Sequence, residues 1–257
     1  MTMGLLSDLS TLTLMLAFGI ATLAGLVKGV VGFALPLILI SGLGSIMDPK
    51  LALAGIIAPV LISNLTQTLR KGGAVAFLAA RDFWRYLLIV SIAILITAQG
   101  VAAVSSQVFY LLLGIPVIGL TLLQLAGWRM HIAPDHRKRA EWLVGLVSGI
   151  FGGFAGTWGP TTVLYLMAID TPRERQMVVQ GVIYGVGSIA LFFGHLQSGI
   201  LNKATAPFSV ALVIPVMLGM WIGFQLQDRL DQNRFRKVTL AVLLLAGLNL
   251  IRKGLIG

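Results

Sequence analysis

The stretch "GLVKGVVGFALP", residues 25–36, sets a lysine, three glycines and a proline inside an apolar run. Lys28 lies about sixteen residues into that run, or about 24 Å along a helix at 1.5 Å per residue. A charge at such depth in a bilayer is expensive and is by default a functional group. It could contact an anion, or cap the last carbonyls of a helix, where a cation is also favoured. The spacing of Gly25, Gly29, Gly32 and Pro36 returns 124 residues later as Gly149, Gly153, Gly156 and Pro160. Proline suits the first turn of a helix, where its missing N–H costs nothing, so a half-helix is expected to start at Pro36 and at Pro160. The first N–H groups of such a helix lack intrahelical partners and carry the positive end of its dipole. Two such ends brought together make an anion site, and the preceding glycines permit sharp turns and close backbone approach. Gly25 and Gly29, four apart, suit close helix packing equally well.

Other polar residues accompany the two breaks. Ser63, Asn64 and Gln67 lie in one apolar segment, and Gln180, Tyr184 and Ser188 in another. The last three are spaced four apart and share a helix face. They could line a pathway or only bond neighbouring helices. Thr157, Trp158, Thr161 and Thr162 flank the second break, where hydroxyls could cap the helix or hold oxyanion oxygens. Trp158 could gate the site or simply pack. The candidate substrate-binding set is therefore Lys28, Gly32, Phe33, Pro36, Asn64, Gln67, Gly156, Thr157, Trp158, Pro160, Thr161, Gln180 and Tyr184. Asp48 and Asp170 read as helix N-caps, and His195 as interfacial or structural. No acidic residue falls within the expected spans, which counts against a carboxylate-coupled or metal-cation carrier. No catalytic residue, metal ligand or cofactor is expected, and no HExxH or serine–histidine–acid set is present.

Membrane helices must position these groups. The chain is 57% hydrophobic and 11% charged, with a mean hydropathy of +0.94, whereas soluble domains carry about 25% charged residues. Apolar segments fall near 12–46, 51–69, 83–104, 107–127, 142–169, 176–197, 205–226 and 238–251, and a span needs roughly 20 such residues. The first segment lacks a basic leader before it and reads as a retained span rather than a signal peptide. The net charge of +10 does not point to nucleic acid, because the cations sit in short loops as topology signals do. With no cysteine, disulfides, cysteine-ligated metal and thiol catalysis are excluded.

Loops 70–85, 128–141 and 227–237 carry most of the basic residues, Arg129, Arg229, Arg234 and Arg236 among them, and are expected in the cytoplasm. The connections around 105–106 and 198–204 are then external, as are both termini. Segment 142–169 begins and ends inside, and segment 12–46 begins and ends outside. Each is too long for one span and short for two, so a hairpin or a pair of half-helices fits. Equivalent loops of the two halves carry opposite charge bias, as inverted repeats require. The expected fold is an all-α multi-pass membrane protein of two inverted repeats, residues 1–127 and 142–257, joined by a cytoplasmic linker, 128–141. Each repeat has a broken or hairpin helix followed by three spans.

"GLVKGVVGFALPLIL" and "GLVSGIFGGFAGTWGPTTVLYL" resemble the paired glycine-rich motifs of the TauE/SafE sulfite exporter family. The resemblance covers nearly the whole chain. It implies a carrier in the bacterial inner membrane that exports a small anion, typically sulfite or an organosulfonate. Val30 and Val31 stand where many members run several glycines together, which bears on how closely the backbone approaches a ligand. The expected partners are a small anionic substrate and the lipid bilayer, with a homo-oligomer left open. Another small anion such as a carboxylate, or a non-transporting membrane subunit, are the competing readings. A membrane-embedded enzyme is disfavoured for want of a nucleophile, base or metal cluster.

Overall fold

The computed structural model describes residues 9–127, 131–227 and 232–256. Within them every regular element is a helix. In chain order they are α1 (Thr11–Val31), α2 (Leu35–Ile46), α3 (Pro49–Leu69), α4 (Gly73–Asp82), α5 (Trp84–Gly100), α6 (Ser106–Leu125), α7 (Arg137–Ala155), α8 (Gly159–Ala168), α9 (Arg173–Gln197), α10 (Ala206–Ala211), α11 (Val213–Gln227) and α12 (Gln232–Ile256). Six stretches among the described residues are long and apolar enough to cross a bilayer. Large apolar side chains also point outward, with Ile96, Ile214 and Leu245 at 67%, 68% and 68% exposed. This is a multi-pass membrane protein.

Segments 12–46 and 142–169 both break and turn back. Ile20 of α1 lies against Gly42 of α2, while the break joins Val31 to Leu35, so the two helices run antiparallel. Ser148 of α7 donates to Thr161 of α8 at 2.6 Å, and Tyr165 donates to Glu141 at 3.3 Å, which makes the second pair antiparallel too. Each is a hairpin with its break at the tip. The most extensive contacts unite the halves: α1 packs on α11, α7 on α5, α6 on α12 and α3 on α9. Smaller contacts join α2 to α12 and α8 to α6.

Glycine sets the closest of these approaches. Gly29 of α1 faces Gly223 of α11 across a gap that a single Cβ would overfill, at 2.8 Å from the Gly223 Cα. Without hydrophobic drive between helices in lipid, such backbone contact is a main source of association. Pro59 inside α3 cannot donate to the Gly55 carbonyl four residues earlier. Ser209 of α10 donates to it instead, at 3.2 Å, so the backbone group freed in the membrane is satisfied by a neighbouring helix.

The connections collect on two faces. One holds the Asp82–Arg175 ion pair, Arg70 against Gln227, His131 with Asp170 at 3.1 Å, and Glu141 between Arg85 and Arg137. The other holds Lys50 on the Ala102 carbonyl, Lys253 and Tyr110 on the Gly44 carbonyl, and Gln99 on the Gly194 carbonyl. The loops read as cytoplasmic all open on the first face where they are described. Arg129, Arg229 and both chain ends lie outside the described residues.

Three expectations change. The stretch 70–85 is not a plain loop, since α4 fills most of it and α5 already begins at Trp84. α7 starts at Arg137, inside the stretch read as linker, and Glu141 is fully buried in it. The physical reason is pairing: Arg85 Nε at 2.8 Å and Arg137 Nε at 3.2 Å neutralise that carboxylate, so a charged sequence can enter the helix. Asp170 is not an N-cap. It sits at φ +50° and α9 is entered from Pro172 without a side-chain cap. Asp48 does cap α3, accepting from the Lys50 and Leu51 amides at 2.8 and 3.2 Å.

Candidate functional site

Both hairpin tips are built alike. α1 ends on Gly32 at φ +81°, whose N–H returns to the Lys28 carbonyl at 2.7 Å. α7 ends on Gly156 at φ +63°, bonded to Gly152 at 2.8 Å. The left-handed conformation that stops each helix suits glycine and costs other residues. α2 then starts at Leu35 and α8 at Gly159, so Pro36 and Pro160 fall one residue inside the helix. The first intrahelical bonds come from Ile38 to Ala34 and from Thr162 to Trp158. The amides of Leu35 and Leu37, and of Gly159 and Thr161, precede them, and neither start is capped by a side chain. Uncapped first-turn amides are the positive end of the helix dipole.

The two tips meet. One cavity of about 20 Å³ is lined by Lys28, Phe33, Ala34, Pro36 and Leu37 from the first hairpin, Asn64 from α3, Gly156–Pro160 from the second hairpin, and Tyr184 from α9. Lys28 is 2% exposed, and its Nζ donates to Asn64 Oδ1. It caps no helix carbonyl in this arrangement. Asn64 Nδ2 donates to the Tyr184 carbonyl at 3.2 Å, which turns Oδ1 toward the lysine. The Tyr184 ring lies 5.9 Å from Nζ, and its hydroxyl donates to the Gly159 carbonyl at 3.1 Å. Thus α1, α3, α9 and the second tip are tied around one buried lysine.

Of the residues singled out in the sequence, Lys28, Phe33, Pro36, Asn64, Gly156, Thr157, Trp158, Pro160 and Tyr184 line this cavity. Gly32, Gln67 and Gln180 form a second group beside it. Gln67 Nε2 donates to the Gly32 carbonyl at 3.1 Å, and Gln180 Oε1 would lie 3.7 Å from a Cβ at Gly32. Thr161 faces elsewhere: its hydroxyl donates to the Trp158 carbonyl at 2.9 Å and accepts from Ser148. Ser188 bonds its own helix at Gly185, so its offset from Asn64 does not bring it to the cavity. Trp158 is wedged between Gly152 and Gly187 and meets Tyr184 edge-on at 6.5 Å.

Sequence reasoning missed two features. Ala34, the N-cap of α2 at φ +74°, gives no residue-type signal for such a conformation. The other is a buried hydroxyl cluster behind α8. Tyr86 OH lies 2.7 Å from Ser148 Oγ and 3.0 Å from Thr162 Oγ1, and Thr162 also donates to the Trp158 carbonyl at 2.8 Å. Tyr86 stands at the entry of α5, among loop arginines that hide it.

A helical membrane protein with buried, glycine-capped breaks around a buried lysine has the build of a polytopic membrane transporter. The chain belongs to the sulfite exporter TauE/SafE family, whose model matches residues 17–250, a span that includes both tips and Lys28. This is a family of transporters, implicated in export of sulfite and related anions, and not a family of enzymes. No curated protein and no solved structure matches the chain.

Proposed function

We propose that the protein is a secondary carrier that exports a small oxyanion, sulfite or an organosulfonate, across the bacterial inner membrane by alternating access. The observation that carries this reading is the single cavity shared by two helix starts and Lys28. Each start offers first-turn amides and about half a positive charge, and Lys28 adds a full one. An anion is the ligand such a site stabilises. The cavity has room for about one water, so an oxyanion enters only when the hairpins part toward one face or the other.

The two halves act as inverted repeats. In support, the matched pairs Gly32 with Gly156 and Pro36 with Pro160 fall on the hairpin tips, and the pairings α1–α11 with α7–α5, and α2–α12 with α8–α6, exchange under one twofold relation. The basic face is the cytoplasmic one, since among the described residues the other carries only Lys50, Lys203, Arg252 and Lys253. Purified protein in proteoliposomes, offered a panel of sulfur oxyanions, alkanesulfonates and carboxylates, tests the reading. Saturable flux of a sulfur oxyanion or sulfonate is expected. Flux of carboxylates alone would favour the competing anion, and no flux of any member would remove the carrier reading.

A further inference from the structure

We propose that Lys28 carries a proton across the membrane with each anion, so that transport of a monoanion moves no net charge. This rests on the carrier reading above and adds its coupling. Lys28 Nζ has a neutral amide, Asn64, as its hydrogen-bond partner, and no ion pair of the described residues includes it. The first tip faces it with apolar side chains, and the second with Thr157, Trp158 and backbone. α11 packs behind α1 through Val216, Met220 and Gly223. Tyr184 of α9 is the titratable side chain in this shell, and it is a phenol already donating to the Gly159 carbonyl.

Lys28 is buried beside a cavity of only about 20 Å³, so an ammonium there has no counter-ion and no room for a full hydration shell. Isolated buried charges are so costly that such groups neutralise instead, and lysine does so readily. A bound anion reverses the balance by supplying the missing opposite charge. The hydrogen bond to Asn64 does not oppose the change, because a neutral amine still has an N–H to donate to Oδ1. Asn64 is itself held by the Tyr184 carbonyl, so the geometry serves both states.

The charge balance follows. On the loading side the amine takes a proton from hydronium as the anion enters, forming the ammonium and water. The ammonium–monoanion pair crosses with no net charge. On the far side the anion leaves, the ammonium returns its proton to water, and the empty carrier goes back uncharged. One anion and one proton move together. Net direction is then set by the anion and proton gradients jointly, and export is driven by accumulation of the anion in the cytoplasm.

The test uses wild-type protein in proteoliposomes with a trapped pH dye and a valinomycin potassium clamp. Methanesulfonate is the probe, because unlike sulfite it binds no proton near neutral pH. Inward methanesulfonate should acidify the lumen by one proton per anion, and an imposed potential should leave its final accumulation unchanged. A carrier that moves the bare charge would show no acidification, with accumulation shifting about fifty-fold per 100 mV, and that result overturns the proposal. Lys28→Arg, which stays charged, should move no protons with whatever methanesulfonate it still carries; acidification by that variant would overturn the assignment to Lys28. If Lys28→Arg does not reach the membrane, the wild-type proton count and voltage response decide alone. If methanesulfonate does not cross, another strong-acid sulfonate of the panel takes its place in the same proton count; if no member of the panel crosses with wild type, the carrier reading falls and this inference falls with it.

Discussion

Gly29→Ala is the sharpest test of how α1 is held. A Cβ there would stand 2.8 Å from the Gly223 Cα and closer still to the Met220 carbonyl. Both are backbone, so no side chain can swing away. Carbon atoms pack best at about 3.5–4.0 Å, so α1 and α11 must separate by roughly 1 Å. Overpacking of this kind costs about 1–3 kcal/mol. At about 2–4 °C per kcal/mol for a chain of this size, the midpoint of heat unfolding in one detergent should fall by roughly 2–12 °C. Gly223→Ala should do the same, since its Cβ would meet the Gly29 Cα at 2.8 Å. The double variant should cost less than the sum, because one separation of the helices accommodates both methyl groups. Gly19→Ala is the control: nothing lies within 4 Å, and alanine gains up to about 1 kcal/mol of helix propensity. Gly32→Ala has space, with Gln67 Nε2 at 3.6 Å, and should lose only about 1–2 kcal/mol for its left-handed backbone. Melting of Gly29→Ala together with Gly19→Ala, or a fully additive double variant, would refute the reasoning.

Three further outcomes are expected. Tyr86→Phe removes the hydroxyl between Ser148 and Thr162, should cost about 1–3 kcal/mol as buried partners go unmet, and should slow flux by loosening the start of α8. Unchanged melting and flux would remove that role. Glu141→Gln should lower stability by about 2 kcal/mol, less than the ~3–5 of a fully buried broken pair, because Arg85 and Arg137 are 26% and 40% exposed and can rehydrate; an unchanged unfolding midpoint would speak against it. In intact cells an impermeant thiol reagent should label Lys203→Cys and spare Arg139→Cys, and the reverse pattern would invert the proposed orientation.

Much of this was legible because lipid narrows the options. Segment lengths and loop charges located the spans and both hairpins, and the glycine and proline offsets located both tips. Lys28 stood out since a buried cation has few innocent uses. What escaped was decided by tertiary pairing. Glu141 looks like a linker residue until two arginines neutralise it. Tyr86, Ser148 and Thr162 come from three helices, and no local spacing joins them. Thr161 carries the right chemistry at the right tip, yet helix rotation turns its hydroxyl toward Ser148. Gly25 and Gly29 proved to be packing contacts against α11, while Gly32 and Gly156, in the same motif, form the turns.

The central claim is that an anion sits between the two hairpin tips beside Lys28. Selenite, a sulfite stand-in with an anomalous scatterer, tests it in crystals of the wild-type protein. The selenium peak should fall inside the cavity bounded by Phe33, Asn64, Trp158 and Tyr184, with an oxygen about 2.7–3.2 Å from Lys28 Nζ or a first-turn amide of α2 or α8, and should vanish in Lys28→Gln. A peak found only among the surface arginines, or one that persists unchanged in Lys28→Gln and lies away from both tips, would contradict the account.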